Sequence, residues 1–169
     1  MSGLNVRTNQ ENRQKKGSTV MKFVIQRVQY AKLVIDGALY SEIGQGLMVL
    51  CGIAQDDNEA IAEKMVKKLC SLRIFEDADK KTNLSLSDVG GGLMIVSQFT
   101  LYADCKKGNR PGFTRAGAPD MAEPLYHYII KEAKKYHADV KQGVFGADMK
   151  IELQNDGPFT IVLDSAEIL

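Results

Sequence analysis

The sequence predicts an α+β fold: a mostly antiparallel, partly closed β-barrel-like sheet of about eight strands with two helices. Three observations predict it. Apolar and polar residues alternate from Lys22 into the early fifties around an Asp36-Gly37 turn, the signature of consecutive strands joined by a tight hairpin. Two segments, near 57–72 and 119–137, instead repeat apolar residues at three- and four-residue spacing, which is helical periodicity. The last thirty residues return to short alternating runs, and neither a G-x-G-x-x-G turn nor an internal repeat appears.

Taken in order, strands are expected at 22–29, 31–35, 38–43 and 47–53, an antiparallel meander. Asp56 or Asp57 can cap a helix to about residue 72, with Ile61, Met65, Leu69 and Leu72 forming one apolar stripe. A short strand at 73–76 leads into a mobile polar connection over 77–92. Its Gly90-Gly91-Gly92 lacks the helix and the Lys-Ser/Thr of a phosphate loop. An apolar strand over 93–101 is interrupted only by Ser97-Gln98, and 102–118 reads as a long loop. Pro119 and Asp120 open a second helix to about 137, with Met121, Leu125, Ile129, Ala133 and Tyr136 on one side. Strands at 140–144, 149–154 and 159–164 close the chain.

A chain of 169 residues with 44% hydrophobic and 25% charged content and no long apolar run describes one globular domain with one core. Residues 1–20 differ, holding Arg7, Arg13, Lys15 and Lys16 against Glu11 with few large apolar side chains. They read as a disordered leader or a mis-called start, with the domain spanning 21–169. Without them the charge falls from +1 to about −2, so the domain is not a globally basic nucleic-acid binder. Cys51, Cys70 and Cys105 share no CxxC spacing and sit in or beside apolar segments, which suits free thiols in a reducing cytoplasm. His127 and His137 have no partner at metal-ligand spacing, so they read as structural, and no metal or cofactor is expected.

Four places carry chemistry. Ser97-Gln98-Phe99-Thr100 puts polar groups into an apolar strand, where each costs about 1–3 kcal/mol unless paired. Either they bond neighbouring backbone at a strand end, or the strand opens into a cleft whose backbone N–H groups hold a carbonyl oxygen and whose Thr100 positions or attacks a substrate. The loop Cys105-Lys106-Lys107-Gly108-Asn109-Arg110-Pro111-Gly112-Phe113-Thr114-Arg115 gathers four cations beside Tyr102 and Phe113, which either stay solvated or bind phosphates. Arg27, in the apolar run Val24-Ile25-Gln26-Arg27-Val28, either points to solvent or locks its guanidinium onto a backbone turn. Finally, Asn155-Asp156-Gly157-Pro158-Phe159-Thr160 interrupts an alternating run, and a Gly-Pro step there removes a ladder donor and a side chain together. Such a stretch presents bare backbone.

Ile25-Gln26-Arg27-Val28, Ser97-Gln98-Phe99-Thr100-Leu101, Gly108-Asn109-Arg110-Pro111, Phe145-Gly146-Ala147-Asp148-Met149 and Asn155-Asp156-Gly157-Pro158-Phe159-Thr160 occur in this order between Met21 and about Leu163. In that order and spacing the chain resembles the D-aminoacyl-tRNA deacylase family. Phe159 departs from the pattern, standing where family members usually carry a small β-branched residue, and the leader lies outside it.

The resemblance implies an enzyme that hydrolyses the ester between a D-amino acid and the 3′-terminal adenosine of tRNA. It implies a homodimer with active sites at the interface, no cofactor and no membrane. Gly157 and Pro158, joined by a cis peptide bond, would reach into the partner's site and read chirality by excluding an L side chain, with Arg27 bracing the turn. Ser97, Gln98, Phe99 and Thr100 would form the catalytic pocket, Phe145 and Met149 would hold the adenosine, and Lys106, Lys107 and Arg110 would meet the tRNA backbone. With no general base near Thr100, the adenosine 2′-OH would help activate water. Two alternatives remain: a small acyl-ester hydrolase with Thr100 as nucleophile, or a non-catalytic binder of the tRNA 3′ end.

Overall fold

In the computed structural model, which describes residues 20–169, the sheet is organised by one fourteen-residue strand, β1 (Lys22–Ile35). The expectation for residues 1–20 lies outside the described residues, Val20 excepted. Two strands were expected where β1 runs unbroken, because its pairing with the last strand, β8 (Met149–Asp164), continues past Tyr30. Gln29 is an unmatched residue in that ladder, since Val28 and Tyr30 pair with the adjacent Asn155 and Gln154. A single extra residue reverses the side-chain alternation, so Ala31 and Leu33 stay on the same side as Val28.

The other edge of β1 takes β2 (Ala38–Ile43) along its second half and β3 (Gly46–Gly52) along its first, both antiparallel. β3 then pairs in parallel with β6 (Gly92–Ser97), and β6 in parallel with β7 (Val140–Gln142). The sheet is therefore mostly, not wholly, antiparallel. Its ends curl toward each other, with Ser41 Oγ of β2 donating to the Gln142 carbonyl of β7 at 3.4 Å. β4 (Phe75–Glu76), within the short strand expected at 73–76, pairs separately with β5 (Thr82–Leu84), which lies in the stretch expected to be a mobile connection and brings the strand count to eight.

Alternation along β3 and β6 divides the interior. Leu47, Val49, Cys51, Leu93 and Ile95 face a core shared with the helices, while Met48, Met94 and Val96 face a second core inside the curl. Both faces are buried, which is why these strands read as continuous apolar runs. Against the first face pack α1 (Glu59–Ser71), through Ala62, Met65, Val66 and Leu69, and α2 (Pro119–Tyr136), through Leu125, Tyr126, Ile129 and Ala133. Ile61 and Leu72 sit only at the margin, and Tyr136 is exposed. A short third helix, α3 (Ser165–Ile168), follows β8.

The cap of α1 is Asn58, whose side chain accepts from the Ile61 N–H at 3.1 Å, and not either aspartate. Asp57 turns inward instead, accepting the Ala54 N–H at 2.6 Å and keeping only 7% exposure. Burial raises its pKa to about 6, against the lowering effect of its backbone donors. Raised in the folded state, the carboxyl stabilises the fold while protonated and loses that contribution as pH climbs from about 4 to about 6. Asp57→Asn is expected to flatten this part of the stability-versus-pH curve, by on the order of 2 kcal/mol between its ends. Urea titrations from pH 4 to 7 check it, and parallel curves for the two proteins would contradict it.

Candidate active site

Four residues of β8, 156–159, stand opposite Arg27 alone, because Gln26 pairs with Thr160 and Val28 with Asn155. The expected break between two strands is thus a wide bulge in one strand. It closes on itself: Asn155 Oδ1 accepts the Phe159 N–H at 2.7 Å, and its Nδ2 donates to Thr160 Oγ1 at 3.3 Å. Gly157 lies at φ 135°, a region that side-chain-bearing residues avoid. The Gly157-Pro158 bond is cis, and both residues are exposed.

Arg27 takes the locking alternative. Its Nε donates to the Asp156 carbonyl at 3.1 Å, and its other arm donates to the Ile74 carbonyl at 2.7 Å, beside β4. The Asp156 carboxylate stands 3.7 Å from Nε, and the Phe159 ring lies 4.6 Å from the guanidinium carbon. The departure at Phe159 is therefore a working contact, since an aromatic face attracts a guanidinium. A Cβ on residue 157 would come within 3.3 Å of the same guanidinium, so Arg27 and Gly157 are fitted to each other.

The second expected site is a cleft of about 660 Å³ at the end of β6. β6 ends at Ser97, earlier than expected, and after Gln98 the chain enters a 3-10 turn at Phe99–Tyr102. The Gln98 N–H donates to the Cys51 carbonyl at 2.8 Å, extending the ladder with β3 by one bond. The turn then starts with Phe99 and Thr100, whose N–H groups precede any intrahelical partner, and Gln98 supplies no side-chain cap. Gln98 Nε2 donates to Thr100 Oγ1, which leaves the threonine proton free to point outward.

Ser97, Gln98 and Phe99 line this cleft, and Phe145 and Met149 line it as well. Five of the expected residues are thereby brought together, and Thr100 is not among the lining residues. A further wall was not foreseen: Phe113 and residues 116–119, which lead into α2. The Phe113 ring meets the exposed Phe99 ring edge-on at 5.0 Å. Its only sequence signal was an aromatic residue inside a cationic loop. Gly157 and Pro158 are not among the lining residues, and Arg27 and Asp156 line a separate cavity of about 300 Å³.

Asp148 is the one carboxylate among the lining residues, and Lys150 Nζ holds both its oxygens at 2.8 Å. Cys51 lies next to the strand, but burial pushes its thiol well up, out of nucleophilic range. His127 sits near Glu123 on α2, and His137 contacts the Gly91 carbonyl, so neither reaches the cleft lining. Lys106, Lys107 and Arg110 are exposed on a loop pinned by the pairing of Asp104 with Gly112. Tyr102, expected among that loop's aromatics, is instead buried, with its hydroxyl on the Val20 carbonyl at 2.7 Å. Of the cysteines, only Cys105 is exposed. Among the described residues no cluster of metal ligands occurs, and no helix is long and apolar enough to cross a membrane.

Comparison with known proteins follows the same lines. The family described as D-Tyr-tRNA(Tyr) deacylase matches residues 24–164. A D-aminoacyl-tRNA deacylase of Fusobacterium nucleatum is 50% identical over 147 residues, covering 87% of this chain and 97% of the relative. One of Clostridioides difficile is 48% identical, covering 87% and 99%. A solved structure described as c-Myc DNA Unwinding Element Binding Protein superposes with a TM-score of 0.80 at 40% identity, covering 84% of this chain and 97% of that one. The chain belongs to the D-Tyr-tRNA(Tyr) deacylase family.

Arg27 generates a stability prediction, because truncating it strands two carbonyls that now share a buried cation. Arg27→Ala is expected to cost about 2–4 kcal/mol in urea denaturation, whereas a loss under about 0.5 kcal/mol would mean that the bulge holds itself.

Proposed function

We propose that this chain hydrolyses the ester joining a D-amino acid, or glycine, to the 3′-terminal adenosine of tRNA, as a homodimer in a reducing cytoplasm. The observation that carries the reading is the cleft at the end of β6. Its volume suits an aminoacyl-adenosine, it combines Ser97, Gln98 and Phe99 with Phe145 and Met149, and it contains no side chain able to act as a free base. Family membership supports the class of reaction, carboxylic ester hydrolysis.

The ester carbonyl sits at the start of the 3-10 turn, where the Phe99 and Thr100 N–H groups donate to the oxygen that develops negative charge. A donor of this kind is worth about 2.7–4 kcal/mol in comparable sites. Gln98 fixes the Thr100 hydroxyl, so Thr100 positions the substrate and does not attack. Adenine lies against Phe145 and Met149, a stacking ring and a flexible thioether. The base is missing from the protein because the RNA supplies it: the adenosine 2′-OH, beside the scissile ester, helps activate water. Lys106, Lys107 and Arg110 lie on the approach for the tRNA backbone.

Chirality is read by Gly157 and Pro158 of the second copy. Two facts support that placement: both residues are exposed, and neither lines the cleft of its own chain. Backbone held close to the substrate α-carbon accepts its ammonium and leaves no space for an L side chain. Glycine has no side chain to exclude. It is therefore cleaved too, and D-residues of many sizes are accepted.

Parallel deacylation assays on D-, L- and glycyl-tRNA are expected to show turnover of the first and third only. Tight binding without turnover would mean a 3′-end binder, and equal turnover of small acyl esters would mean an unspecialised hydrolase. Replacing the terminal adenosine by a 2′-deoxy form acylated at the 3′ position is expected to lower the rate by at least about a hundredfold. An undiminished rate would return the chemistry to Thr100.

A further inference from the structure

The two arms of the cleft come from different parts of the chain. One arm leaves β6, where Ile95 stands two residues before Ser97. The other leaves β7, where Gly143 stands two residues before Phe145. A buried hydroxyl bridges them beside a direct backbone bond. Tyr126, on the sheet-facing side of α2 and fully buried, donates to the Ile95 carbonyl at 2.7 Å and accepts the Gly143 N–H at 3.0 Å. The Gly143 carbonyl lies 3.4 Å from the same oxygen, and the Gly143 N–H also reaches the Ile95 carbonyl at 3.1 Å.

The same tyrosine touches the second arm directly, its ring centroid 6.1 Å from that of Phe145. Gly143 fits the far end of that arm, because a Cβ there would fall 2.6 Å from Met149 Sδ. The turn between them is short, closed by the Ala147 N–H on the Val144 carbonyl at 3.2 Å. Once Gly143 is fixed, Phe145 and Met149 have little freedom. Burial also pushes the Tyr126 phenol well above its ordinary value, so the hydroxyl keeps its proton near neutrality and remains a donor.

We propose that Tyr126 is a positioning residue whose hydroxyl sets the separation between the carbonyl-binding arm and the adenosine-binding arm of the cleft. The proposal rests on the reading of Phe145 and Met149 as the adenosine wall. Tyr126 touches no substrate and acts through Gly143. A phenyl ring would fill the same space in the core; the oxygen adds a second tie between β6 and the turn. Its removal leaves the direct Gly143 to Ile95 bond in place, so the fold survives while the turn loosens.

The test compares wild type with Tyr126→Phe by steady-state kinetics on D-aminoacyl-tRNA and by calorimetric binding of a non-hydrolysable 3′-amide analogue of D-alanyl-adenosine. The expected result is a KM and Kd raised about three- to tenfold, the size of one or two lost hydrogen bonds, with kcat within about twofold. The NMR signal of the Met149 ε-methyl group, recorded without substrate, is expected to shift or broaden. Gly143→Ala is expected to weaken binding similarly in wild type and by less than about twofold in a Met149→Val background, because the atom it strikes is gone. Unmoved KM, Kd and methyl signal in an active Tyr126→Phe enzyme would overturn the proposal. So would an equal loss of kcat accompanied by a lower melting temperature. A wild-type protein inactive on every aminoacyl-tRNA, with the methyl signal still shifting in Tyr126→Phe, would overturn the functional reading while leaving the positioning of the turn intact.

Discussion

Arg27 places a permanent cation in a strand that is only 7% exposed at that residue, and a buried guanidinium is tolerable only where its N–H groups meet acceptors. Those acceptors are main-chain carbonyls from two distant segments, Ile74 before β4 and Asp156 in the β8 bulge. The arrangement makes the bulge a consequence of the cation. Four residues stand opposite one because the chain must bring the Asp156 carbonyl inward, stack the Phe159 ring on the guanidinium and still return to register at Thr160. Gly157 follows from the same constraint, since its φ of 135° strains any residue with a side chain and a Cβ there would press on the guanidinium at 3.3 Å. What remains pointing outward is backbone.

On the proposed reading, this separation would let the molecule be selective without a side-chain pocket for the amino acid. The proposed filter is built on the β1–β8 pair, while the cleft proposed to hold the substrate is built on the end of β6 and the turns before α2 and β8. Each is held by the sheet, yet Gly157 and Pro158 lie outside the cleft of their own chain, and Arg27 and Asp156 line a separate cavity. Catalysis by orientation and hydrogen bonding needs rigid mounting more than reactive side chains. The mounting is visible in the Gln98 link to Cys51 and in Tyr126 behind the cleft.

Local periodicity made much of the fold legible. The hairpin at Asp36-Gly37, both long helices and the strand that carries Ser97 follow from spacing and turn residues alone. What periodicity could not supply was pairing. That β3 and β6 lie parallel, that β1 is one strand and that β8 continues through its bulge depend on contacts between residues up to about 140 positions apart. The helix cap illustrates a smaller failure: Asp56, Asp57 and Asn58 are equally good caps in sequence, and only the burial of Asp57 against Ala54 leaves the role to Asn58. At the site, polar residues inside an apolar strand were informative because burial makes them costly. Phe113 and Tyr126 were silent, since an aromatic residue in a loop or on a helix has many uses. Phe159 read as an anomaly until its contact with Arg27 gave it one.

The central claim is that backbone geometry fixed by Arg27 sets stereochemical discrimination. The most direct measurement is the ratio of D- to L-aminoacyl-tRNA deacylation rates in Arg27→Lys, which keeps the charge but lacks the planar fork needed to reach two carbonyls together. The account predicts a ratio lowered at least about tenfold through faster cleavage of the L-substrate, the effect of about 1.4 kcal/mol of lost discrimination. A folded Arg27→Lys protein with the wild-type ratio would contradict it.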